Sequence, residues 1–187
     1  LMTMNDNWKD TQQAEIEASG FQPQNDLESA IIATLDPGSY TAVVSGKDGG
    51  TGVGLVEGYD LDQGADSQFG NISTRGFVET GTNVMIGGFI LGGESGNANV
   101  VVRALGPSLT AFGVAGALTD PTLELRDGNG ALIKDNDNWK DTQQADIEAT
   151  GLQPANDLES AIFQTLAPGA YTAIVAGKDD LTGVGLV

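Results

Sequence analysis

Ser160–Ala176 reads SAIFQTLAPGAYTAIVA, two runs of β-branched and apolar residues folded about Pro168-Gly169. Proline fixes the φ that the second position of a tight turn needs, and glycine suits the third. In the run after the turn, Tyr171, Ala173 and Val175 alternate with Thr172 and Ile174, the two-residue period of a strand packed mainly on one face. Residues 29–45 read SAIIATLDPGSYTAVVS, the same strand–turn–strand pattern.

The likeness extends well beyond this hairpin. Asn5–Val56 and Asn136–Val187 align without a gap, Trp8 matching Trp139 at an offset of 131 residues, and 40 of 52 positions are identical. The differences are mild, among them Glu15 against Asp146, Ser19 against Thr150 and Val43 against Ile174. The 187 residues hold one whole period preceded by the last part of another, the mark of a tandem array. The organisation expected is the second half of a preceding unit over 1–59, a linker over 60–71, and one nearly complete unit over 72–187. Because the strand matching Thr182–Val187 runs on through Glu57-Gly58-Tyr59 in the first copy, the second copy stops in mid-strand. The natural chain is therefore expected to continue.

Short runs separated by turn signals predict an all-β fold: β-sandwich, jelly-roll-like repeat units with one short helix. Strands are expected near Ser73–Val78, Asn83–Leu91, Asn99–Leu105, Thr122–Arg126, Ala131–Lys134, Ser160–Leu166, Ala170–Ala176 and Thr182–Val187. In the first copy their counterparts are Ser29–Leu35, Ser39–Ser45 and Thr51–Tyr59, and the two copies are expected to fold alike. The Asn-Gly pair of Asp127-Gly128-Asn129-Gly130 supplies the positive φ of a hairpin turn. Thr142–Thr150 (TQQADIEAT) predicts the helix, too short to stand without packing on the sandwich.

Net charge is −18, from 26 acidic and 8 basic residues. That argues against nucleic acid and anionic membranes, whose surfaces demand clustered Lys and Arg. With no Cys and no His, disulfides, thiolate or imidazole metal sites and Ser-His-Asp triads are excluded. No apolar run approaches the roughly 20 residues that span a bilayer as a helix. GGFILGG at 87–93 and GVG at 183–185 lack the lysine of a phosphate-binding loop. Asn71-Ile72-Ser73 fits the N-glycosylation pattern, a hint of surface exposure. No pair of carboxylates stands out as a glycosidase dyad, and the chain reads as a non-enzyme.

Acidic side chains crowd one hairpin. Asp127, Asn129, Asp135, Asp137 and Asp141 are candidate ligands for Ca²⁺, which takes six to eight oxygens. The spacing is not that of an EF-hand, and Asp and Asn are also ordinary turn and capping residues. Trp8 and Trp139, each within NDNWKD, are either sugar-stacking platforms or covers for the sandwich edge. Aromatics are 6 % of the chain, too few for the aromatic strip of many carbohydrate sites.

DPTLELRDGNGALIKDNDNW at 120–139, followed by ESAIFQTLAPGAYTAIV at 159–175, resembles the bacterial pre-peptidase C-terminal domain. The shared order is strand, D-x-N-G hairpin, strand, N-D-x-W loop, strand, L-x-P-G turn and strand. Residues 75–109 are similar to repeats of large secreted proteins of environmental bacteria. The resemblance implies an extracellular accessory or structural module with no catalytic residues. Together with the near-identical copies, it yields the expectation of a structural repeat in a cell-surface filament, stalk or array whose partners are copies of itself or neighbouring repeats. The alternative is an adhesion module that binds Ca²⁺ or glycan at its loops.

Overall fold

A computed structural model describes the chain except residues 63, 65–67 and 94. The chain divides into two compact units, Leu1–Asn71 and Ile72–Val187. Part of the expected linker at 60–71 lies outside the described residues.

The second unit is an antiparallel sandwich. Its strands are β1 (Arg75–Val78), β2 (Met85–Leu91), β3 (Ala98–Ala104), β4 (Pro121–Asp127), β5 (Leu132–Asn136), β6 (Ser160–Leu166), β7 (Gly169–Gly177) and β8 (Gly183–Leu186). One sheet has the order β2-β7-β4-β5; β1 pairs with β8, and β3 with β6. A bridge from Leu105 to Leu186 joins these last two pairs, with both backbone bonds made at 2.8 and 2.9 Å. The second layer therefore runs β1-β8-β3-β6. Two four-stranded sheets in the orders 1-8-3-6 and 2-7-4-5 make a jelly roll, the double Greek key that the sequence predicts.

The alternation of strands turns inward the apolar side chains that the sequence places two apart. Val78, Val102, Ala104, Ile162 and Leu166 from one layer meet Met85, Leu123, Leu125, Ala173 and Val175 from the other, with Leu118 among them. Several core members, including Leu118, Leu125, Ile162 and Val175, are fully enclosed.

The β4–β5 hairpin is sharper in detail than its Asn-Gly pair implies. Only Gly130 takes a positive φ there, +82°, and the register slips between Leu125 and Arg126. Asp127 Oδ1 accepts from the backbone N–H groups of Asn129 and Ala131, both at 2.9 Å. The turn is held by an aspartate side chain and closed by a left-handed glycine, the pattern of a longer hairpin loop with a bulge.

The helix α2 (Gln144–Thr150) begins two residues after the expected Thr142 and ends at Gly151 with φ +72°. Gln143 is engaged elsewhere: its side-chain amide donates to the Phe163 carbonyl at 2.8 Å and accepts from the Phe163 N–H at 3.2 Å. Ile147, fully buried, packs with Trp139 and Ala161 in a second, smaller cluster.

The first unit departs from expectation. Among its described residues are one helix, α1 (Gln13–Ser19), and short 3-10 turns. Residues 29–35, 39–45 and 51–59, expected as strands, form none. The topology supplies the reason. Call 72–127, which carries β1 to β4, the leading half of a unit, and 132–187, which carries β5 to β8, the trailing half. Each ladder of the sandwich, 1-8, 8-3, 3-6, 2-7, 7-4 and 4-5, joins a leading strand to a trailing one. Residues 1–56 match a trailing half alone. Its strand segments have no partner in one another, and a strand without a ladder leaves its backbone groups to water.

Candidate assembly interface

The trailing half divides into a locally built motif and three strand segments that need outside partners. The local motif forms in both copies with most bonds in common, although Trp139 Nε1–H donates to Asn156 O at 3.2 Å and Trp8 Nε1–H has no partner among the described residues. Trp8 N–H donates to Glu28 O at 2.8 Å, and Trp139 N–H to Glu159 O at 2.9 Å. Asn5 Oδ1 accepts from Ala30 N–H at 3.1 Å, and Asn136 Oδ1 from Ala161 N–H at 2.9 Å. Gln12 clamps Ile32 as Gln143 clamps Phe163. Tyr40 and Tyr171 donate their hydroxyls to the carbonyls of Asp36 and Ala167 across the Pro-Gly turns. Both tryptophans are buried, at 4 % exposure, so neither offers a ring face to a sugar. They cover the cluster beneath the helix.

The strand segments differ between copies. Ile162, Leu166 and Val175 are enclosed, whereas Ile31, Leu35 and Val44 are 45 %, 44 % and 66 % exposed. Val53 and Leu55 stand almost bare.

Glu159 is the polar counterpart of this difference. Fully buried, it accepts through Oε1 from Gly106 N–H, Ser108 N–H and Ser108 Oγ–H, and through Oε2 from Asn156 N–H. Three of those four donors belong to the leading half, so this carboxylate fastens one half to the other. Glu28, its counterpart, is exposed and accepts from Asn25 N–H at 3.1 Å. Sequence inspection passes over Glu159, although its sign is legible: ANDLESAI around it is nearly unchanged in the first copy, where QNDLESAI stands at 24–31.

Of the five candidate calcium ligands, Asp127, Asp137 and Asp141 are each engaged by other groups of the protein. Asp127 is committed to its own turn, and Asn129 and Asp135 stand exposed. Asp141 Oδ2 accepts from the Asn138 side-chain amide at 3.2 Å. Asp137 Oδ2 lies 2.6 Å from Lys178 Nζ. Among the described residues, no three acidic side chains gather in a group that could hold a metal ion.

What does form is a cluster of Asp120, Asp137 and Lys178, with Lys178 Nζ 3.9 Å from Asp120 Oδ2. Burial pushes the Asp120 carboxyl above its ordinary range; the Lys178 ammonium opposes that shift, and Asp137 and Asp179 add to it. Asp137, by hydrogen bond and charge, holds Lys178 above the usual lysine value. The pair recurs as Asp6 with Lys47 at 2.5 Å, raising Lys47 in the same way. Lys178 carries no motif of its own; only its repetition as Lys47 in a shared GKD marks it.

Among the described residues no helix is long and apolar enough to cross a membrane. No protein-family model, curated protein or solved structure matches the chain.

Proposed function

We propose that this protein is a structural repeat module of an extracellular bacterial filament, stalk or surface array. The observation that carries the reading is the second copy of a trailing half at a constant offset, with its strand segments unpaired and its apolar side chains exposed. A catalytic or ligand site gains little from a near-identical repeat, whereas a polymer uses every copy. Units joined head to tail by one repeated contact extend into a regular fibre unless the rotation closes a ring. Resemblance to modules of secreted proteins supports the extracellular setting, and no catalytic role is proposed.

The charge of −18 makes like units repel, so salt or divalent cations favour growth by screening. Electron microscopy of native material across ionic strengths tests this, with helical analysis of the axial step. Regular filaments without added ligand are the expected outcome; a monodisperse species at every ionic strength refutes the reading.

One observation favours a calcium-dependent adhesion module as the second reading. Asp120 Oδ1, Asp137 Oδ1 and Asn138 Oδ1 are buried and accept no hydrogen bond from the described residues, and such oxygens suit a hard cation. On this reading calcium raises the melting temperature, because a ligand bound only by the native state stabilises it. A melting curve unchanged by excess chelator dismisses it.

A further inference from the structure

We infer that the first copy, residues 1–56, is a docking surface for a leading half. Its occupant is a segment with the sequence of residues 72–127, bound in the register of the second unit shifted by 131 residues. The inference goes beyond the filament reading and does not depend on it, since one docked segment makes a complex without making a fibre.

Three observations carry it. The first is the topology. Each trailing strand pairs only with leading strands, so the partner missing from the first copy is specified by the second unit strand for strand. Met85 and Leu123 flank Val175 from either side, and by offset they would flank Val44. Val102 faces Ile162 and would face Ile31.

The second is the distribution of differences between the copies. Thirteen residues of 132–187 are buried: Asn136, Trp139, Ile147, Pro154, Glu159, Ser160, Ala161, Ile162, Leu166, Ala173, Val175, Gly183 and Gly185. All are identical in the first copy, and the twelve substitutions within the repeat fall on exposed or half-buried positions. The surface that packs against a leading half is thus present without alteration in the first copy, where no leading strand is paired with it.

The third is glycine. A Cβ on Gly183 would fall 2.7 Å from the Leu118 backbone, and one on Gly185 would fall 3.1 Å from Val78. At Gly183 the leading-half backbone leaves no room for a side chain, and at Gly185 the Val78 side chain would have to give way. Gly52 and Gly54 stand at the matching positions and meet nothing within 4 Å. Their surroundings do not require glycine, and a docked leading half would.

The same pairing predicts new partners for Glu28, whose carboxylate would take the amide and hydroxyl donors that Gly106 and Ser108 give Glu159.

A synthetic peptide of residues 72–127, titrated into the full chain and followed by amide exchange, tests the inference. One peptide should bind per chain, slowing the amides of Ala42 and Val44 by about 100-fold or more, a change of about 2.8 kcal/mol at 1.4 kcal/mol per tenfold. Val44→Asp should abolish binding without loosening the second unit. Register is read by a disulfide between a Met85→Cys peptide and a Val44→Cys chain. Residues directly opposite in an antiparallel pair lie about 4.5–5.5 Å apart at Cα, within bridging reach. A Val53→Cys chain should not cross-link to that peptide.

A second measurement needs no peptide. Val175→Asp places a carboxylate in the core and releases the chain's own leading half, which the first copy should then accept. Antiparallel sheet content should survive in Val175→Asp and be lost when Val44→Asp is added. Equal sheet content in the single and double variants, or saturating peptide with no protection at Ala42 and Val44, overturns the inference. A one-to-one complex that grows no filament upholds it and defeats the filament reading.

Discussion

Residues 39–45 and 170–176 make the plainest comparison in the molecule. SYTAVVS and AYTAIVA are nearly one sequence, yet the second lies within β7 between β2 and β4, while the first forms no strand. The motif around Trp8, by contrast, repeats the backbone bond, asparagine bond and glutamine clamp of the motif around Trp139. Helix, clamp and Pro-Gly turn are decided by residues within about thirty positions of one another. The strands are decided by residues of the other half. Strand propensity here describes a fit to neighbours, and without them it produces nothing.

Amide exchange tests that contrast at its largest. Backbone N–H groups of Ala173 and Val175 should exchange at least about 1,000-fold more slowly than those of Ala42 and Val44, since core strands open only with the free energy of the whole unit, at least about 5 kcal/mol. Trp8 and Ile16, bonded within the local motif, should fall between. Comparable rates in both hairpins would erase the distinction.

Side-chain truncation comes next. Ile162→Ala should cost the second unit about 2–5 kcal/mol, and Ile31→Ala less than about 0.5 kcal/mol, as at an exposed site. Both are best made in a Val44→Asp background, so that the first copy cannot substitute for the damaged one. Denaturant unfolding reads the difference, and equal losses break the comparison.

How much of this was legible follows the same division. All eight strands of the second unit, the helix and the jelly roll were readable because alternation, turn residues and glycines are local signals. Lost to sequence was the alternation of leading and trailing strands through both sheets, which leaves residues 29–35, 39–45 and 51–59 bare. That is a property of topology, and no window of residues contains it. Asp127 shows a similar ambiguity: an aspartate before Gly-Asn-Gly reads equally as a turn anchor or as a metal oxygen, and the structure shows the turn anchor, with Oδ1 accepting from Asn129 and Ala131. Glu159 carries no local signal because glutamate seldom goes inside without donors, and three of its four donors, on Gly106 and Ser108, lie 53 and 51 residues upstream.

Glu159→Gln sharpens the contrast for polar groups. Replacing a buried carboxylate that accepts four hydrogen bonds should cost about 1.5–3 kcal/mol, the range of bonds to charged groups. Glu28→Gln should be close to silent in thermal unfolding. If both are silent, Glu159 does not fasten the halves.

The smallest effect concerns pH. The folded state raises the Asp120 pKa above its unfolded value of 3.8, so it holds this proton more firmly than the unfolded chain does. From that side chain, stability declines as pH rises from 3.8 through the raised folded value. Asp120→Asn should remove this part of the slope and leave the unit at least as stable at neutral pH. A melting-temperature profile from pH 3 to 8 checks it. Lys178 acts at the other end: its raised pKa contributes stability that is complete below 10.5 and lost as pH climbs through the folded value.

The joining of leading to trailing strands also has a consequence in time. A chain emerges from the ribosome amino end first, at about 5–20 residues per second. Residues 72–127 are out seconds ahead of the trailing half, 132–187, with which they pair in the finished fold. Hairpins form in microseconds. For those seconds β1 to β4 stand without β5 to β8, so none of the sandwich's ladders can close until residues 132–187 have emerged.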